Sequence, residues 1–163
     1  MVELLKPKRG GFLRPFGCGW FIREYLTSSA DPEFGAPQAD IFYHYKMALR
    51  QATALDRATR VEEKKARREK RPIDPDIIEK LSGHYLARLP YKATGCRYHS
   101  FVVYFSTLKR LSWVEPSGRE EPSSFQDNYP SGQPRIYYRL TSSGRAASDA
   151  EWSNPQQTLY GKS

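Results

Sequence analysis

The sequence predicts a mainly helical fold carrying one small β-hairpin. Three observations lead there. Residues 38–71 contain no Gly or Pro and carry a regular apolar seam. Asp74, Pro75 and Asp76 form a sharp helix start just beyond it. Two short runs rich in β-branched and aromatic residues then flank a loop of Pro, Gly and Ser, and the second, RIYYRL, passes at once into a helical Gly-Arg-Ala-Ala stretch.

The first element read from the N-terminus is a flexible basic arm, residues 1–19, in which Lys6, Lys8, Arg9 and Arg14 stand among Pro7, Pro15 and four glycines. A short helix over Trp20 to Leu26 follows, with Trp20, Phe21 and Tyr25 on one face, and TSSADPEFGAP makes a loop. The long helix from Gln38 has apolar positions Ile41, Tyr45, Ala48, Ala52 and Leu55, spaced four, three, four and three. This seam serves packing against the chain's own core or a homodimer. Beyond Val61 it dissolves into EEKKARREKR, and the run RVEEKKARREKR over 60–71 has seven basic and three acidic residues. That run reads as a solvated face laced by pairs such as Glu63 with Arg67, or as a surface that tracks a nucleic-acid backbone.

Asp74 is placed to cap the next helix, Pro75 to begin it and Asp76 to favour its dipole, with IIEKL continuing it, and Ile77, Ile78 and Leu81 are expected in one core with Phe101, Phe105, Leu108 and Tyr138. Gly83 either ends this helix or weakens it. RYHSFVVYFSTLKRLSW reads as a further helix, because Phe101, Phe105, Leu108 and Ser112 fall near one line with Tyr104 and Leu111 beside it; a strand over FVVYF is the alternative. WVEPSGREEPSSFQDNYPSGQPRIYYRLT holds two short strand signals separated by a Pro, Gly and Ser-rich loop, long enough for a hairpin whose tip reaches a partner. Thr141 is the expected cap of the final helix, with Leu140 packing inward. The chain thus divides into the arm, a helical extension over 20–72 ending in a basic charged helix, a core over 73–150 and a tail over 151–163.

Taken in order, residues 74–147 run helix, turn, helix, strand, long hairpin loop, strand and helix. LKRLSWVE at 108–115 is like the end of a reading helix entering a wing strand, and YYRLTSSGR at 137–145 is like the far wing strand passing into a helix. On these strings the segment resembles the winged helix-turn-helix of DNA-binding proteins, over about half the chain and at the level of fold. The resemblance implies a left-handed residue at Ser112, where the reading helix exits. It also implies that the face opposite Phe101, Phe105 and Leu108 meets DNA. His99 and Ser106 suit hydrogen bonds to base edges, Val102 or Val103 a thymine methyl, and Lys109 and Arg110 the phosphates, with Tyr98 at the near end. Arg119, Arg135 and Arg139 would extend the grip through the wing, and Lys6, Lys8, Arg9 and Arg14 through the arm.

Charge agrees with a polyanionic partner, and a basic balance alone also suits acidic proteins or a solubilised surface. The chain has 26 Lys and Arg against 18 Asp and Glu, a net +8, and residues 1–72 hold 15 of the basic and 9 of the acidic side chains, so most of the excess lies in that half. Only Cys18 and Cys96 occur, too few for a disulfide framework, which fits a reducing compartment. No apolar run approaches the roughly 20 residues of a membrane span, and the N-terminus lacks the apolar stretch and cleavage site of a secretory signal. CRYH at 96–99 is short of a metal set, Cys18, His44 and His84 add no ligand spacing, and GGFLRPFGCG is not a phosphate loop. The expectation is therefore a non-enzymatic, sequence-specific duplex-DNA-binding protein without metal or cofactor, located in the cytoplasm with the nucleoid. It would be a transcriptional regulator or a replication or partition factor of a prokaryote or its mobile elements. The alternatives are a winged-helix docking module of a larger assembly and an RNA-binding component.

Overall fold

Local chemistry accounts for most of the boundaries in the computed structural model, which describes residues 17–121 and 134–161. Helix α1 (Cys18–Glu24) starts two residues before the predicted Trp20 and widens into a π-helical turn over Tyr25–Ser29. Its Phe21, Ile22 and Leu26 are buried, and Phe21 stacks on Tyr25 at 5.7 Å. In the following loop the Asp31 carboxylate accepts the amides of Glu33 and Phe34, each at 2.9 Å, and these bonds, Phe34 first, hold its pKa low. Gly35, with φ of +73°, then turns the chain into β1 (Ala36–Pro37), a strand too short to be read from composition.

Helix α2 (Gln38–Glu69) runs as predicted, but its buried line does not follow the predicted seam. Ile41 and Tyr45 are fully buried inside the protomer, whereas Ala48 and Ala52 are half-buried and Leu55 is 46% exposed. The buried positions continue instead through Leu49, Ala54, Ala58, Glu62 and Ala66. The last four repeat every four residues, and three of them are alanines, which let another backbone or side chain come close. The eye follows Leu55 because it is large; the helix buries what its neighbours reach.

Glu62 is the exception in that line, a carboxylate with 0% side-chain exposure. It accepts two hydrogen bonds from Arg71, at 2.6 and 2.9 Å, and the Asp74 amide at 2.8 Å. Arg71 also donates to Glu69 at 2.8 Å. The clasp fixes the corner where α2 ends, with Lys70 in a left-handed conformation at φ 55°, and α3 (Pro75–Arg88) begins. The α3 start is as expected: the Asp74 carboxylate accepts the Asp76 amide at 3.0 Å and Pro75 occupies the first turn, while Gly83 does not end the helix. The Arg71 hydrogen bonds, then that of the Asp74 amide, draw the Glu62 pKa from 4.5 down to about 2. A depressed carboxylate stabilises the fold fully above its unfolded value. Its contribution is therefore expected to persist down to about pH 4.5 and to fade as pH falls towards about 2. Thermal melts of wild type and Glu62→Gln across that range check this. The gap between the two curves should close with acid, and a gap independent of pH would refute the clasp's role.

A 3₁₀ turn (Tyr91–Thr94) and Gly95, at φ +66°, lead to α4 (Tyr98–Arg110), which is helix throughout the FVVYF segment. Ser112 is left-handed at φ 59°, as the resemblance implies. The Trp113 amide reaches back to the Leu108 carbonyl at 3.1 Å and the Ser112 amide to that of Lys109 at 3.0 Å, the two bonds of a Schellman cap built on serine rather than glycine. Strands β2 (Val114–Glu121) and β3 (Arg135–Leu140) pair antiparallel, with a register irregularity between Pro116 and Glu120, and β1 pairs with the other side of β3. The sheet order is β1-β3-β2. Thr141 caps α5 (Ser142–Ala146) through the Gly144 amide at 3.0 Å and gives its own hydroxyl proton to the Ser112 carbonyl, tying the exit of β3 to that of α4. Helix α6 (Asp149–Ser153) has a reciprocal Ser148–Glu151 capping box, and α7 (Pro155–Tyr160) ends the described chain.

The fold is mainly helical with a small three-stranded antiparallel sheet. Its contacts form two compact units: residues 17–45 with residue 97 onward, and residues 46–96. In the first, Phe101 and Phe105 stack at 5.8 Å, the Tyr138 ring stands edge-on to Phe105 at 5.2 Å, and Phe42 lies 5.3 Å from Phe101. Trp113 and Trp152 meet at 4.8 Å, and the Trp152 indole donates to the Gly144 carbonyl at 2.9 Å. The sequence places Ile77, Ile78 and Leu81 in this core, and the structure corrects that. All three are half-buried, α3 has no buried residue, and it groups with 46–96. The first eight residues of α2 supply the apolar partners instead, because Ile41, Phe42 and Tyr45 carry large side chains on the face that meets the aromatic row of α4.

Candidate nucleic-acid interface

Helix α4 has two chemically distinct faces. Phe101, Phe105, Thr107 and Leu108 are buried, while His99, Val103, Ser106, Lys109 and Arg110 are exposed, with Val103 at 50%. A valine that open adds little to packing and leaves an apolar contact surface between two hydrogen-bonding side chains. Val102 is half-buried at the edge of this face. Tyr98 is 46% exposed at the helix start, edge-on to Phe42 at 5.1 Å and stacked over Phe101 at 6.5 Å.

The basic residues at the far end are positioned by aromatic rings. The Lys109 ammonium lies 5.3 Å from the Tyr138 ring centre and 5.8 Å from that of Phe105. Arg110 lies over Tyr160 at 5.3 Å and donates to its hydroxyl. Tyr160 itself is 58% exposed, so the pair stays at the surface. Nothing in the sequence pattern links residues 110 and 160; α7 folds back on α4 through tertiary packing alone.

The three arginines of the β2–β3 hairpin divide. Arg119 is exposed on β2, between the rings of Tyr137 at 4.7 Å and Phe34 at 5.5 Å. Arg135 binds Asp40 and, at 3.0 Å, Glu121; Arg139 binds Glu115 at 3.2 Å and donates to the Glu33 carbonyl at 3.3 Å. Both are half-buried and already hold carboxylates, so their charge is compensated within the protein. Burial, and then the hydrogen bond to Glu121, raise the pKa of Tyr137 above its ordinary value. Lys6, Lys8, Arg9 and Arg14, and the hairpin tip over 122–133, lie outside the described residues.

The site residues therefore separate into a contiguous α4 face with Lys109 and Arg110 at its end, one hairpin cation, Arg119, without an ion pair among the described residues, and two arginines engaged with acids. Among the described residues no group of three His, Cys, Asp or Glu side chains could hold a metal ion, and no helix is long and apolar enough to cross a membrane. No family model, curated protein or solved structure matches the chain.

Proposed function

We propose that the chain is a sequence-specific duplex-DNA-binding protein whose helix α4 reads the major groove. The observation that carries this is the exposed row His99, Val103, Ser106 and Arg110, set on a helix held from behind by a stacked aromatic core. An α-helix fits the major groove. Donors and acceptors near its N-terminal half meet base edges there, and cations near its end meet phosphates.

The arrangement we infer is a winged helix-turn-helix with an insertion. Helix α1, β1, the first eight residues of α2, α4 and the β2–β3 hairpin form the module, and residues 46–96 interrupt it between its second and third helices. Three features support this reading: the β1-β3-β2 order, the direct passage from α4 into β2, and the Phe42 ring against Tyr98 and Phe101. A transcriptional regulator and a replication or partition factor are the processes this module would serve.

His99→Ala or Ser106→Ala is expected to lower preference for the cognate duplex by about 1 to 3 kcal/mol while leaving random-duplex binding nearly intact. Arg110→Ala should weaken both alike and reduce the salt slope by about one. The cognate site comes first, by selection of bound sequences from a random duplex pool, and titrations at several salt concentrations then divide the roles. The compensated Arg135 and Arg139 favour a second reading, a protein-docking module, which takes over if no duplex is preferred.

A further inference from the structure

The outer face of α2 beyond residue 56 takes no part in the site above. Residues 46–96 hold 13 Lys and Arg against 7 Asp and Glu, a balance of +6 out of the chain's +8. Several of these acids are committed. Glu62 is buried in the clasp, Glu69 binds Arg71, Asp56 pairs with Arg60 at 3.1 Å and Asp74 caps α3. The pair of Glu63 with Arg67 that the sequence suggests is not formed. Lys64, Lys65, Arg67, Arg68 and Lys70 are exposed and hold no ion pair among the described residues.

These cations are also aligned. At about 100° per residue, Lys64, Arg67 and Arg68 lie opposite the buried line of Ala58, Glu62 and Ala66, with Arg57 and Arg60 extending the stripe to about 16 Å. Arg57 is steadied over the Tyr85 ring at 5.0 Å. Like charges three and four residues apart repel one another, and a solvated helix relieves this with interleaved acids. Here Glu62 points inward and Glu69 binds Arg71 at the corner, so the acids left beside the stripe are Asp56, which pairs with Arg60, and the half-buried Glu63 on its flank. A polyanion with regularly spaced charges meets such a stripe by exchanging its condensed counterions for fixed cations, and the planar guanidinium groups suit phosphate oxygens.

We infer that this face of α2 binds the phosphate backbone of duplex DNA without regard to sequence, as a second contact separate from the reading helix; the inference rests on the duplex-DNA reading of the chain. The test is the full-length triple variant Lys64→Gln, Arg67→Gln, Arg68→Gln, in which glutamine keeps helix propensity, titrated on a random-sequence duplex over about 50 to 200 mM salt. Binding at the lowest salt should weaken roughly ten- to a hundredfold, and the slope of log affinity against log salt should become shallower by about 2 to 3. Lys64→Gln alone should remove about one unit of slope, which keeps the result readable if the triple variant folds poorly. His99→Ala, run in parallel, should lose site preference and keep the slope. Wild-type affinity and slope in the triple variant overturn the stripe and leave the reading helix standing, provided wild type still prefers its selected site. If wild type binds no duplex, both proposals fall, and a loss seen only on single-stranded RNA overturns the duplex assignment.

Discussion

Phe105→Ala is expected to destabilise the protein by about 3 to 5 kcal/mol, a large share of the roughly 5 to 15 kcal/mol that holds a domain folded. Phe105 is fully buried at the centre of the α4 packing. Phe101 stacks against it at 5.8 Å and the Tyr138 ring meets it edge-on at 5.2 Å. Truncation removes the ring's transfer energy and leaves a void between a helix and a strand, neither of which can collapse without breaking the Schellman cap or the β3 pairing. Val103→Ala is the control: it lies on the same helix but is 50% exposed, so its effect should stay within about 0.5 kcal/mol. Denaturant titrations of both variants decide the matter. Equal midpoints for Phe105→Ala and wild type would mean that the buried face has been misassigned.

Gly35→Ala is expected to cost roughly 2 to 5 kcal/mol, from two sources that add. The backbone at Gly35 has φ of +73°, which disfavours any L side chain. An added Cβ would also fall 1.7 Å from the Tyr138 carbonyl oxygen and 2.6 Å from its carbon, and backbone atoms inside a sheet cannot swing aside. β1 should detach from β3, taking with it the pairing of Ala36 with Tyr138. Gly118→Ala separates the two sources, because Gly118 has φ of +93° but nothing within 4 Å of where its added Cβ would sit. It should incur only the conformational cost. Amide exchange along β3 reports the detachment, and similar losses in the two variants would remove the collision from the account.

Features that rest on local chemistry are legible in the sequence. The α3 start depends on Asp74, Pro75 and Asp76, three adjacent residues whose capping chemistry acts over one turn. The α4 faces follow from a 3.6-residue period in one uninterrupted segment, and Thr141 caps α5 through an amide three residues away. These features need no knowledge of what lies elsewhere in the chain. The left-handed Ser112 is different: the resemblance implies it, whereas local chemistry favours glycine at such a helix exit.

By itself, then, the sequence determined α1 to α5, the Asp74 and Thr141 caps, the two long strands and the division of α4 into an aromatic and a polar face, because these depend on contacts within about one helical turn or one strand; α6 and α7 lie in and beside a stretch that reads only as a tail. Only the tertiary structure decided the partners. It set Phe42 beside α4, added β1 to the sheet, brought Tyr160 to Arg110 and Trp152 to Trp113, and gave Arg135 and Arg139 to carboxylates. Hydrophobic burial is the physical reason. It is non-directional, so several apolar faces of similar size can cover the same aromatic row, and the choice falls to whichever the whole chain can bring there with its polar groups satisfied.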